Sequence, residues 1–100
     1  MGATTFFTRE HGRTAREAFE RATGAAQYWH GHGGYSGTIA EKENFTEITI
    51  PKGKDPLEFA YNLIDNDDPR ISDKWGPAGC IDLGKDGNGR MFLFFGWASQ

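Results

Sequence analysis

The last apolar stretch, Arg90 to Ala98 (RMFLFFGWA), is the feature that most limits how this 100-residue chain can fold. In a strand, successive side chains point to opposite faces, so Met91, Leu93 and Phe95 line one face and Phe92 and Phe94 the other. Both faces are apolar. Such a strand lies inside a sheet, or has its second face covered by a partner subunit. One hundred residues make one domain, residues 1–100, with too few to build a second core. Covering both faces from within so small a domain is difficult, so a homo-oligomer is expected.

Other strands and helices follow from periodicity. Residues 3–10 (ATTFFTRE) form a first strand ended by His11-Gly12. Thr14 and Glu17 make a capping box, and Ala15, Ala18, Phe19, Ala22, Ala26 and Trp29 then recur on one helical face. Gly31, Gly33 and Gly34 stop that helix. Residues 35–42 (YSGTIAEK) and 45–50 (FTEITI) alternate like two strands, with Lys42-Glu43-Asn44 as the hairpin connection. Asp55-Pro56-Leu57-Glu58 opens a second helix, whose apolar face is Leu57, Ala60, Tyr61 and Ile64. Residues 69–79 are irregular. Cys80 to Leu83 is a short strand, joined through the turn Lys85 to Gly89 to the final one. The order β-α-β-β-α-β-β predicts an α+β fold, an antiparallel sheet of about five strands with both helices on one face.

Composition narrows the function classes. At 37% hydrophobic the chain is too apolar to be disordered, and no apolar run reaches the length of a membrane span. Met1 to Thr5 lacks the basic and apolar blocks of a secretory signal, and a single cysteine suits a reducing compartment. A cytoplasmic protein without a membrane partner is expected. A net charge of -3 with no long basic run argues against duplex nucleic acid, but leaves room for a small anionic nucleotide ligand held by a few local donors.

The densest chemistry lies between His30 and Lys42. Glycines in this stretch let the backbone approach a ligand and aim amides at it. His30 and His32 offer a proton donor and acceptor, Tyr35 can orient a phosphate, and Lys42 can neutralise developing charge. These four are the candidate catalytic residues. Gly33, Gly34, Ser36 and Thr38 are candidate ligand contacts, and His11 and Arg13 join them from another loop. Lys74 beside Trp75 offers an indole on which a base can stack. The bland readings are a helix stop for the glycines, a cap for His30 and a core-edge plug for Trp75. His30-x-His32 lacks a third metal ligand at a defined spacing, though His11 and Glu41 are within consideration, so no metal or cofactor is expected. Cys80 reads as a small buried hydrophobe rather than a nucleophile.

The block GHGGYSGTIAEK at 31–42, after the helix TAREAFERATGAAQYWH, is similar to one found in a group of small phage and prophage proteins. Blocks KWGPAGCIDL at 74–83 and FFGWAS at 94–99 extend the resemblance over most of the chain. It implies a phage-type protein acting in the cytoplasm of an infected bacterial host. By analogy, such proteins blunt host defence. The residues and the resemblance together point to a metal-independent phosphodiesterase that hydrolyses a nucleotide-derived immune signal such as a cyclic dinucleotide. The alternatives are a non-catalytic sponge for the same signal and a protein-binding inhibitor of a defence system.

Overall fold

β4 (Gly89–Ser99) occupies the inside of the sheet, as its sequence requires, antiparallel to β1 (Ala3–Gly12) on one side and to β3 (Ala78–Asp86) on the other. A computed structural model describes residues 2–31 and 35–100. The fold is α+β, with two helices, α1 (Ala15–His30) and α2 (Pro56–Asp65), and, with β2 (Phe45–Glu47), a four-stranded mixed sheet in the order β1-β4-β3-β2. No helix among the described residues is long and apolar enough to cross a membrane.

Each face of β4 has its own cover. Phe92, Phe94 and Ala98 pack with Phe6, Cys80 and the α1 residues Ala18, Phe19 and Ala22. Leu93 and Phe95 pack with Ile81, Ile48 and the α2 residues Ala60, Leu63 and Ile64. The helices therefore lie on opposite faces of the sheet, not on one face as predicted. The physical reason is the strand itself: two apolar faces need two layers. This arrangement also removes the argument for a covering partner subunit, because the chain buries both faces unaided.

The sheet has one strand fewer than predicted and is not wholly antiparallel. Residues 35–42 do not form a strand. They make a loop and a 3-10 turn over Ile39–Glu41, in which the Thr38 side chain accepts from the Ala40 amide. Of the alternating residues Tyr35, Gly37 and Ile39, only Ile39 is buried. β2 is short (Phe45–Glu47) and runs parallel to β3, with α2 lying between them in the chain. No hairpin forms at Lys42 to Asn44. The Ile48 amide still donates to the Cys80 carbonyl at 2.8 Å before the chain leaves the sheet.

Local signals at the helix starts and at the hairpin are realised. The Glu17 amide donates to the Thr14 hydroxyl at 3.1 Å, and the Glu58 amide to the Asp55 carboxylate at 2.9 Å, with Pro56 opening α2. Asp86 pairs with Gly89 across a two-residue turn whose first member, Gly87, has φ of 68°, the geometry of a type II′ hairpin.

Truncating Phe94→Ala is expected to lower stability by about 3–5 kcal/mol and Leu93→Ala by about 2–5 kcal/mol, measured by urea unfolding. Because β4 is shared by both core layers, each variant should still unfold in a single transition. Two resolved transitions, one per layer, would contradict a jointly held core.

Candidate functional site

Lys42, proposed from sequence as a charge neutraliser at the reacting centre, is instead a buried structural residue. It is 4% exposed, and its Nζ donates to the carbonyl oxygens of Gly76 at 2.9 Å, Lys74 at 3.1 Å and Asp73 at 3.4 Å. An ammonium has three donors, and all three are taken. Burial pushes its pKa down to about 8, while the nearby carboxylates of Asp73 and Glu41 act in the opposite direction. Its function is to pin the turn that precedes β3.

The neighbouring loop is held in a comparable way. Glu41 accepts from both the amide and the hydroxyl of Ser36, and the hydroxyls of Ser36 and Thr38 bond each other at 2.8 Å. The Gly37 amide donates to the Ser99 carbonyl at 2.8 Å, tying the loop to the end of β4. Ser36 and Thr38, expected to contact a ligand, are thus occupied within their own loop.

These two pinned loops present aromatic rings to solvent. Tyr35 is 59% exposed and Trp75 60% exposed, with ring centroids 6.0 Å apart and planes at 89°. The Trp75 amide is fixed by the Asp73 carboxylate at 2.8 Å. Lys74 Nζ lies 5.6 Å from the Trp75 ring centroid and donates to the Gly2 carbonyl at 3.3 Å. Tyr35 and Lys74 therefore each lie beside the Trp75 ring, whereas Lys42 is buried away from them. Two exposed rings side by side make a small apolar patch on the surface.

His30 ends α1 and is exposed, with no hydrogen bond or ion pair among the described residues. His32, Gly33 and Gly34 lie outside the described residues. Trp29, placed by periodicity on the apolar face of α1, is 78% exposed, and Tyr28 is 81% exposed, its ring 5.3 Å from the indole. The buried part of α1 ends at Ala22, with Ala26 half-buried against the core, so the last turn extends beyond the packed part of the helix. This exposed pair was missed by the sequence reading. The only available signal was that Trp29 comes last in the apolar series.

His11 and Arg13 sit at the other end of α1. The helix spans 16 residues, which at 1.5 Å per residue separates its ends by about 24 Å. They cannot share a small ligand with Tyr35 and Trp75. There His11 Nε2 pairs with the Asp86 carboxylate, and the Arg13 guanidinium pairs with Glu17 at 3.1 Å. Among the described residues, no three His, Cys, Asp or Glu side chains group to hold a metal. Burial pushes the Cys80 thiol up to about 12, helped by the charges of Glu47 and Asp82, which makes it a poor nucleophile.

Comparison with protein-family models, with curated proteins and with solved structures finds no match to this chain.

Lys42 makes stability depend on pH in a definite sense. The unfolded chain holds this proton up to about 10.5, the folded protein only to about 8, so between these values stability rises with pH. Cys80 opposes it higher up: the unfolded thiol ionises near 9.0 and the folded one near 12, so its contribution is lost as pH rises through that range. Between pH 8 and 9 the lysine acts alone of the two. Urea unfolding is expected to show a rise across pH 8–9 in the wild-type protein that Lys42→Met lacks. An equal rise in both would contradict the assignment.

Proposed function

We propose that the protein binds a nucleotide-derived signal, of the cyclic dinucleotide class, on the Tyr35–Trp75 platform and sequesters it without cleaving it. The observation that carries this reading is the pairing of two exposed rings on two loops that are each held by partly buried hydrogen bonds. A flat base gains about 1–3 kcal/mol by stacking on an aromatic side chain, whatever its identity. The Lys74 ammonium beside the indole supplies a cation for a phosphate. Fixing in advance the backbone that carries the rings lowers the ordering cost of binding.

Sequestration is favoured over hydrolysis by what is missing from the acid-base set. Lys42 has no free donor, and the His30 ring has no partner among the described residues. General acid-base catalysis needs groups held within hydrogen-bond reach of the reacting atoms. The resemblance at 31–42, 74–83 and 94–99 supports a phage-type protein, and with it a host immune signal as the ligand and the infected cytoplasm as the place of action. A second reading, a protein-binding inhibitor, is favoured by the exposed Tyr28–Trp29 pair, since aromatic rings of that kind anchor protein interfaces.

The test is a titration with a panel of cyclic dinucleotides, followed by tryptophan fluorescence and by chromatography of the ligand released on heating. Saturable binding is expected, with intact ligand recovered. Trp75→Ala should weaken binding by about 10–100-fold, whereas Trp29→Ala should leave it unchanged. Recovery of a cleaved product would restore the phosphodiesterase reading. Absence of binding across the panel, or a Trp75→Ala protein that binds as well as wild type, would remove the platform and leave the inhibitor.

A further inference from the structure

The start of α1 carries a separate cluster of charged side chains. A cleft of about 380 Å³ opens between the β1–α1 corner and the β3–β4 hairpin, lined in part by His11, Arg13, Arg21, Asp86 and Asn88. A second depression of about 270 Å³ shares Arg13, Asn88 and Gly89 with it and adds Lys85 and Arg90. Four of the chain's eleven Lys and Arg residues thus meet around one hairpin tip, with the carboxylates of Glu17 and Asp86 in the first cleft.

The corner is tightly built. A Cβ on Gly12 would come within 2.6 Å of the Ala18 amide nitrogen, so only glycine lets the end of β1 press against the first turn of α1. Gly12 also faces Arg90 in the β1–β4 ladder, and a Cβ on Gly89 would lie 3.1 Å from the Gly12 carbonyl oxygen. The arginines and the hairpin tip are consequently held side by side by main chain.

Charge pairing leaves a definite remainder. Glu17 is neutralised by Arg13, whose Nε and Nη2 donate to one carboxylate oxygen at 3.2 and 3.1 Å, and whose amide donates to the other. Those bonds hold the Glu17 carboxyl below the usual carboxylate range. Asp86 is paired with His11, and Asp82 with Arg90 through Nε at 2.9 and 3.1 Å. The side chains of Arg21 and Lys85, both exposed, make no hydrogen bond or ion pair among the described residues, the Arg21 charge acting on Glu17 only at longer range, and one lies in each depression. The Asn88 side chain between them is also without such a bond. What remains is two cations without a bonded side-chain partner, one in each of two depressions that share Asn88 and Gly89.

We propose that this hairpin cleft is a second binding site, for a small molecule carrying two linked phosphate groups. One phosphate lies in the His11 cleft against Arg21 and the other in the adjoining depression against Lys85, with the linkage crossing at Asn88. A single phosphate fills one half only. The His11 ring, held by Asp86 through Nε2, keeps Nδ1 as a further polar contact in the first half.

The probe is inorganic pyrophosphate, titrated into the full chain and followed by amide chemical shifts at constant ionic strength set with sodium chloride. Saturable shifts are expected at Gly12, Arg13, Asn88 and Gly89, with orthophosphate binding at least about tenfold more weakly, as loss of one charged contact implies. Arg21→Ala combined with Lys85→Ala, both at exposed positions that leave the fold intact, should abolish the shifts. Trp75→Ala should leave them unchanged, which separates this site from the platform. Three results would each overturn the proposal: no saturation, equal affinity for the two anions, or shifts that survive in the double variant.

Discussion

The two-sided apolarity of β4 is the constraint on which the rest of the structure depends. Phe94 and Phe95 are adjacent in sequence, both wholly buried, and belong to different core layers. A strand of this kind obliges the chain to supply cover above and below the sheet. The solution is to place α1 after β1 on one face and α2 between the parallel strands β2 and β3 on the other. The charged corner is at the start of α1, and exposed aromatic side chains mark its end.

Signals confined to a few neighbouring residues were legible in the sequence. Thr14 and Glu17, Asp55 and Pro56, and the turn at Gly87 each act through bonds closed within four residues, so the local pattern is enough. Residues 35–42 show the opposite case. Their alternation imitates a strand, yet the segment closes on itself through Glu41, which accepts from Ser36 five residues away. A carboxylate that satisfies a loop amide removes the need for a ladder partner. The parallel pairing of β2 with β3 was equally invisible, because strand order depends on which face each helix must cover.

The candidate site was legible in part for the same reason. Tyr35 and Trp75 were both identified, and their meeting depends on contacts between segments that are 40 residues apart. Lys42 was misread because its acceptors lie 31 to 34 residues downstream. Nothing beside it in sequence distinguishes a lysine that bonds carbonyls from one that binds phosphate. The His11–Asp86 pair, 75 residues apart in the chain, is another product of topology alone, since the β1–β4 and β3–β4 ladders bring the end of β1 to the hairpin.

Lys42 also shows why a charged residue is retained in a nearly closed interior. The turn at residues 73–76 is not part of the sheet, and three of its carbonyls point at one place, where each needs a donor. An apolar side chain of similar length would fill the space and leave those acceptors unsatisfied, at about 1–3 kcal/mol for each that water cannot reach. The ammonium is itself disfavoured by burial, as its lowered pKa records, so its net contribution to stability is smaller than three hydrogen bonds suggest. What it secures is one geometry for the turn. The carbonyls of Asp73, Lys74 and Gly76 bracket Trp75, so anchoring them fixes the backbone from which the indole projects. The ordering that a stacking ligand would otherwise have to impose on this turn is therefore already complete in the folded chain.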